Sequence, residues 1–127
     1  MKKTELYIKS TNDVNNLHTI VWEPESEIKA IVQISHGMIE YIDRYDRFAK
    51  FLNSKGILVV GNDHLGHGLT ARDDEELGYF PTDKKSATVV EDLYKITQEI
   101  KSRYGDDVPY FVLGHSMGSF MIRRYIM

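Results

Sequence analysis

Residues 110–118 combine an apolar run with a serine between two glycines, Tyr110-Phe111-Val112-Leu113-Gly114-His115-Ser116-Met117-Gly118. The apolar run predicts a buried strand, and the residues after Ser116 have the apolar spacing of a buried helix. The pattern G-x-S-x-G between strand and helix needs a tight turn, in which Gly114 and Gly118 avoid clashes with the helix and the neighbouring strand. Such a turn exposes the Ser116 hydroxyl at a helix N-terminus, where free N–H groups stabilise negative charge. Ser116 is therefore a candidate nucleophile, and the alternative is a tight turn with a capping serine.

Four further runs upstream predict strands. Ala30–Ile34 and Ile57–Val60 are almost continuously apolar, which is typical of strands covered on both faces of a parallel sheet, as we also expect for Tyr110–Leu113. Glu5–Lys9 and Leu17–Trp22 are separated by a polar, Asn-rich connection, which predicts a β-hairpin.

Two helices are predicted between these strands. The first has Asp43 as N-cap, Gly56 as its stop and an apolar face made of Tyr45, Phe48, Ala49 and Leu52. The second ends at Gly105 and has an apolar face made of Val89 or Val90, Leu93, Ile96, Ile100 and Tyr104. The order of a hairpin followed by βαβαβα predicts an α/β fold, with a mostly parallel sheet and helices on both faces. Ligands of such sheets bind beyond the C-terminal ends of the strands.

The composition excludes several classes of protein. A length of 127 residues predicts one domain, and 42% hydrophobic and 28% charged residues are typical of a globular protein. A net charge of −3 argues against a nucleic-acid-binding surface, so no nucleic-acid partner is expected. The absence of cysteine excludes disulfides, thiolate metal sites and a cysteine nucleophile.

No membrane anchor is expected from the sequence. Thr4 and Glu5 stand where a signal peptide would need its apolar run. The apolar runs Ile57–Val60 and Tyr110–Leu113 are far shorter than the roughly 18 residues of a membrane span. We predict a soluble protein, with the cytoplasm as the default location.

The segment after the strand Ala30–Ile34 reads Ser35-His36-Gly37-Met38-Ile39-Glu40. It lies where an oxyanion loop follows a strand, so the backbone N–H groups of Met38 and Met117 are candidate donors to an oxyanion. The alternative is an ordinary tight turn with a hydrogen-bonded histidine.

The segment after Ile57–Val60 reads Asn62-Asp63-His64-Leu65-Gly66-His67-Gly68. A carboxylate and two histidines in one loop, with His36 and His115 at the same sheet edge, raise the possibility of a zinc site. We favour a rigid loop whose histidines are hydrogen-bonded, because a zinc site also needs fixed geometry and further ligands. No metal and no cofactor are therefore predicted.

Together and in this order, the three motifs resemble the α/β-hydrolase superfamily, specifically the monoacylglycerol lipase and lysophospholipase-like serine hydrolases. The resemblance includes Arg44-Tyr45 after the first motif. It implies a small lipid-like ester as substrate, Ser116 as nucleophile, and Met38 and Met117 as donors of the oxyanion hole. The residues it implies as support for the active-site loops are His36, Gly37, Glu40, Asp63, His64, Gly66, His67, Gly68, Gly114, His115 and Gly118. Ile39, Tyr41 and Thr70 depart from the residues common in this family.

The larger departure follows the nucleophile. The family order is nucleophile, then Asp or Glu, then His, whereas Met117–Met127 contains none of these three residue types. We therefore expect residues 1–127 to be the N-terminal part of a single α/β-hydrolase domain whose parent protein is a serine esterase. The alternative is a truncated or non-catalytic module of this fold. In either case Tyr110–Leu113 would form an exposed apolar edge through which the isolated fragment self-associates.

Overall fold

The computed structural model describes residues 2–10, 16–36, 41–63, 84–105, 107–115, 122, 125 and 126, of which 84–89 by backbone alone. The strands are β1 (Lys2–Lys9), β2 (Asn16–Glu23), β3 (Ala30–Ser35), β4 (Ile57–Asn62) and β5 (Tyr110–Gly114). A 3₁₀ turn (Ile42–Tyr45) leads into helix α1 (Asp46–Asn53), and helix α2 spans Lys84–Tyr104. The predicted hairpin, the three later strands and the two helices between them are thereby confirmed.

The described strands form one sheet in the order β1-β2-β4-β3-β5. The hairpin strands are antiparallel, with Leu6 opposite Thr19, and β2 also runs antiparallel to β4. Strand β3 is parallel to both of its neighbours, with Ile34 opposite Gly61 on β4 and opposite Leu113 on β5. The sheet therefore has a parallel part, which holds the predicted site, and an antiparallel part made by the hairpin.

Helices cover both faces of the sheet, as predicted. Because successive side chains of a strand point to opposite faces, β2, β3 and β4 each contribute to two separate cores. The core under α2 contains Leu17, Val21, Ile31, Leu58, Val60, Leu93, Ile96 and Ile100. The core under the 3₁₀ turn and α1 contains Ile20, Trp22, Ile34, Ile42, Ala49 and Val59.

Strand β5 is covered on one face only within the part of the chain that the structure describes. Tyr110 packs against the core under α2, and Val112 lies beside Leu93 of that helix. Phe111 and Leu113 point to the other face, where they are 56% and 40% exposed. Full burial of β5 was therefore a wrong expectation. The exposed apolar edge that the sequence predicts is present, because β5 is the last strand of the described sheet.

The start of the first helix differs from the prediction. Tyr41 precedes the 3₁₀ turn without a side-chain cap, and Asp43 lies inside the turn. Asp43 accepts a hydrogen bond of 2.6 Å from Lys3 Nζ, so its carboxylate binds β1 and does not cap the helix. The predicted ends are correct, because Gly56 and Gly105 follow the helices with φ of +80° and +87°, a conformation that favours glycine.

The helix predicted after Ser116 lies mostly outside the described residues. Ile126 N donates to Ile122 O at 3.0 Å, which is the i to i−4 bond of an α-helix. In the portion of the chain with described coordinates, no helix is both long and apolar enough to cross a membrane.

Candidate active site

The sheet brings the ends of three parallel strands to one edge. Strand β3 lies between β4 and β5, so the residues that follow these strands become neighbours. The ladder between β3 and β5 pairs Ser35 with Gly114, and His115 N continues it by donating to Ser35 O at 3.2 Å. The three sequence stretches that contain the predicted site residues therefore leave the sheet side by side.

Four of the predicted site residues are described. His36 is fully buried after β3, and Asp63 is 2% exposed after β4. Gly114 ends β5, and His115 is exposed beside it. The remaining predicted residues lie outside the described part of the chain: Gly37, Met38, Glu40, His64, Gly66, His67, Gly68, Ser116, Met117 and Gly118. Their roles stay predictions.

An open depression adjoins the end of β5. It has a volume of about 380 Å³ and is lined by Arg44, Tyr45, Phe48, Leu113, Gly114 and His115. Phe48 and Leu113 give it an apolar wall, and each is 40% exposed. The depression thus offers an apolar surface next to the residue that precedes Ser116 in the chain.

The Asp63 carboxylate joins the end of β4 to β2 and to the 3₁₀ turn. Its Oδ1 accepts a hydrogen bond of 2.6 Å from the Ile42 backbone N–H, and its Oδ2 lies 2.6 Å from His18 Nδ1. Asp63 N also donates to His18 O at 2.8 Å. With both oxygens bound to protein groups, Asp63 has the contacts of a structural carboxylate, which argues against the zinc-ligand alternative for this residue.

Sequence reasoning did not single out His18. It lies on β2, on the same face as Ile20 and Trp22, and its side chain is 3% exposed. Its Nε2 lies 3.2 Å from Glu5 Oε1, so the ring stands between a buried and an exposed carboxylate. The period-two pattern of β2 contains the signal, because it places His18 on the same face as the apolar Ile20 and Trp22.

A buried polar network ties β3 to α2. Gln33 Nε2 donates to Leu93 O at 3.0 Å, and its Oε1 accepts from Thr97 Oγ1 at 2.6 Å and from the Tyr110 hydroxyl. Burial raises the pKa of the Tyr110 hydroxyl above its ordinary value. Tyr125 OH donates to Thr97 Oγ1 at 3.0 Å. The network therefore joins β5 and Tyr125, which stand on either side of Ser116 in the chain, to the same helix.

Comparisons with known proteins agree with this architecture. Residues 26–127 match the Hydrolase_4 family, described as "Serine aminopeptidase, S33". A monoglyceride lipase homolog of Monkeypox virus is 39% identical over 115 residues, which are 87% of this chain and 39% of that protein. The monoglyceride lipase of Mus musculus is 36% identical over 97 residues, which are 76% of this chain and 30% of the mouse protein.

Among solved structures, a thermostable carboxyl esterase from Bacillus coagulans in complex with glycerol is 36% identical and superposes with a TM-score of 0.88. The match covers 98% of this chain and 40% of the esterase. The chain thus spans between 30% and 40% of the length of these three proteins. The family match and the shared sheet place it in the Hydrolase_4 family of the α/β-hydrolase superfamily, similar to monoglyceride lipases.

Proposed function

We propose that the protein is a serine hydrolase that cleaves carboxylic esters of the monoacylglycerol or lysophospholipid type, with Ser116 as its nucleophile. The observation that carries the proposal is the ladder between β3 and β5. The hydrogen bonding between the two strands extends to His115, the first residue after β5. Ser116 is the next residue in the sequence and therefore follows directly after the end of a parallel strand. This is the position in which a strand-to-helix turn exposes a serine hydroxyl in α/β-hydrolases.

The proposed reaction forms and then breaks an acyl-enzyme. Ser116 Oγ attacks the acyl carbonyl carbon while a histidine takes its proton, and the backbone N–H groups of Met38 and Met117 hold the oxyanion. Collapse of the tetrahedral intermediate breaks the ester C–O bond, and the leaving alcohol takes the proton from the histidine. Water then attacks the acyl carbonyl carbon of the acyl-enzyme while the histidine takes a proton from it. Collapse of the second tetrahedral intermediate breaks the bond to Ser116 Oγ, which takes the proton back, and the fatty acid leaves. No cofactor takes part.

The histidine and its orienting acid are expected to follow the nucleophile in chain order. Residues 117–127 contain no Asp, Glu or His. The upstream residues His18 and Asp63 are buried and bound to each other, so they do not supply this pair. Tests of activity therefore use the protein expressed from its complete reading frame.

Two features support a lipid-like ester as the substrate class. The depression beside His115 has apolar walls from Phe48 and Leu113, which can pack against an acyl chain, while Arg44 and Tyr45 complete its lining. The relatives named above include monoglyceride lipases and an esterase whose structure contains glycerol.

The test measures fatty-acid release from 1-monooleoylglycerol and from oleoyl lysophosphatidylcholine. We expect turnover of at least one of them and a loss of at least about a thousandfold in kcat for Ser116→Ala, because removal of a triad nucleophile leaves only binding and the oxyanion hole. The matched control is Ser54→Ala, since the Ser54 hydroxyl lies on the surface and donates to Phe51 O. Undiminished activity of Ser116→Ala would overturn the assignment of the nucleophile.

A further inference from the structure

One buried carboxylate links the end of β4 to the 3₁₀ turn that comes after β3. Asp63 is the first residue after β4 and precedes the glycine-rich segment His64–Gly68 in the sequence. Ile42 begins the 3₁₀ turn and comes four residues after Met38. The 2.6 Å bond from Ile42 N to Asp63 Oδ1 therefore fixes the start of the turn against the residue that follows β4.

Ile42 is fixed by packing as well as by this bond. Its side chain is fully buried and lies so close to Gly61 that a Cβ atom there would be 2.3 Å from Ile42 Cδ1. Gly61 and Asp63 are two residues apart and lie on the same side of β4. The Ile42 side chain packs against Gly61 and the Ile42 N–H donates to Asp63, an arrangement that we call the Ile42 anchor. The geometry of this anchor depends on the orientation of the Asp63 carboxylate.

His18 sets that orientation. Its Nδ1 lies 2.6 Å from Asp63 Oδ2, and its main-chain oxygen accepts from Asp63 N at 2.8 Å. The ring itself is held by Glu5 on the neighbouring strand and packs against Tyr7, with 5.5 Å between the ring centroids. A hydrogen bond between a buried carboxylate and a ring N–H has a defined direction and is stronger than one between neutral groups.

We propose that His18 is a positioning residue for the ester hydrolysis proposed above: through the Asp63 carboxylate, it fixes the distance between Asp63, which directly precedes His64 in the chain, and Ile42, which comes four residues after Met38. The inference rests on the proposed function. His18 does not touch the reacting atoms. Its effect on the rate arises because a displacement of about 1 Å in a group that contacts the transition state costs about a hundredfold.

The test compares three substitutions of His18 in the protein expressed from its complete reading frame. His18→Asn keeps an amide N–H near the position of Nδ1, His18→Gln moves its amide towards Nε2, and His18→Phe keeps only the ring. We expect a loss of at least about tenfold in kcat for a short p-nitrophenyl ester in the Phe and Gln variants, with KM changed by less than about threefold. His18→Asn should recover most of the loss. The Gln variant preserves the test if His18→Phe does not fold.

The matched control is Asn53→Ala. Asn53 is buried, and its side-chain amide donates to Ile57 O at 2.7 Å and to Trp22 O at 3.1 Å, at the end of β4 opposite to Asp63. At an equal loss of Tm, this variant should keep kcat within about twofold of the wild type. A folded His18→Gln variant with unchanged kcat, or a loss that the Asn53 variant shares, would overturn the proposal.

A second readout separates this proposal from the assignment of Ser116. Hydrogen exchange of the Ile42 amide should accelerate in His18→Gln and return towards the wild-type rate in His18→Asn, whether or not the protein hydrolyses esters. If the wild type has no Ser116-dependent activity but the exchange rates follow this order, the proposed function fails and the anchor stands. Unchanged exchange of the Ile42 amide in His18→Gln removes the anchor itself.

Discussion

Gly61 offers a direct test of the packing that fixes Ile42. A Cβ atom at Gly61 would lie 2.3 Å from Ile42 Cδ1 and 3.0 Å from both Ile42 Cγ1 and Ile34 O. The Ile34 oxygen belongs to the backbone of β3, and the Ile42 side chain is fully buried, so neither can move freely. Forcing one methyl group into such a site costs about 1–3 kcal/mol of stability, so we expect Gly61→Ala to lower the free energy of unfolding by this amount.

A second substitution shows whether the clash has the stated cause. Ile42→Val removes Cδ1, the atom nearest to the added methyl, and by itself costs about 0.5–1.5 kcal/mol. In the double variant the two changes should partly compensate, and we expect a coupling free energy of at least about 1 kcal/mol in urea unfolding. Recovery stays incomplete because Cγ1 and the Ile34 oxygen remain.

Ile100→Val is the control for this cycle. Ile100 is also fully buried, but it lies in the core under α2, on the opposite face of the sheet. Its cost should add to that of Gly61→Ala within about 0.5 kcal/mol. A neutral Gly61→Ala, or compensation by Ile42→Val no better than that by Ile100→Val, would contradict a clash between the added methyl group and Ile42.

Three further predictions concern the chain as a whole. The 127-residue chain alone should show no multiple turnover of a p-nitrophenyl ester, because no Asp, Glu or His follows Ser116; sustained turnover would contradict this. The isolated chain should self-associate through β5, where Phe111 is 56% exposed, and Phe111→Lys should reduce the mass measured by light scattering; a monomeric wild type would contradict this. Burial, followed by the hydrogen bond to Glu23, raises the pKa of Tyr104 to about 12 from 10.0, so its contribution to stability is complete below pH 10.0 and is lost as the pH rises towards 12. Tyr104→Phe should reduce this alkaline loss of stability measurably, but by less than about 1 kcal/mol in urea unfolding between pH 9 and 12, because solvent screens the partly exposed hydroxyl. An alkaline loss equal to that of the wild type would contradict this prediction.

The secondary structure was largely predictable because the core is built from continuous apolar runs and helical repeats. The spacing of Leu93, Ile96 and Ile100 predicts the buried face of α2, and all three side chains are buried. The same rule places Phe48 on the buried face of α1, yet its side chain is 40% exposed. Periodicity identifies the side of a helix that meets the sheet, but it does not tell how far the sheet extends beneath it.

The capping prediction failed for a tertiary reason. A local pattern assigns Asp43 to the helix start, but the distant Lys3 binds its carboxylate, and the chain enters α1 through a 3₁₀ turn. Sheet order likewise depends on contacts between segments that are far apart in sequence. The pairing of β2 with β4, which brings His18 beside Asp63, therefore could not be predicted from the pattern of either strand.

The candidate site was predictable as a set of loops, because each motif directly follows an apolar strand. Parallel pairing of β3 with both neighbours then brings His36, Asp63 and His115 to one edge. The sequence did not reveal the bonds that hold these loops, since His18 is remote from every motif and looks like one polar residue in a strand. Buried polar pairs of this kind become visible only once the strands are paired.

The most direct test of the central claim is the site of covalent labelling by a fluorophosphonate in the protein expressed from its complete reading frame. We predict one adduct per molecule, located by peptide mass spectrometry on Ser116, and no adduct in Ser116→Ala. An adduct on another serine, or none on folded wild-type protein, would contradict the claim that the turn after β5 presents the nucleophile.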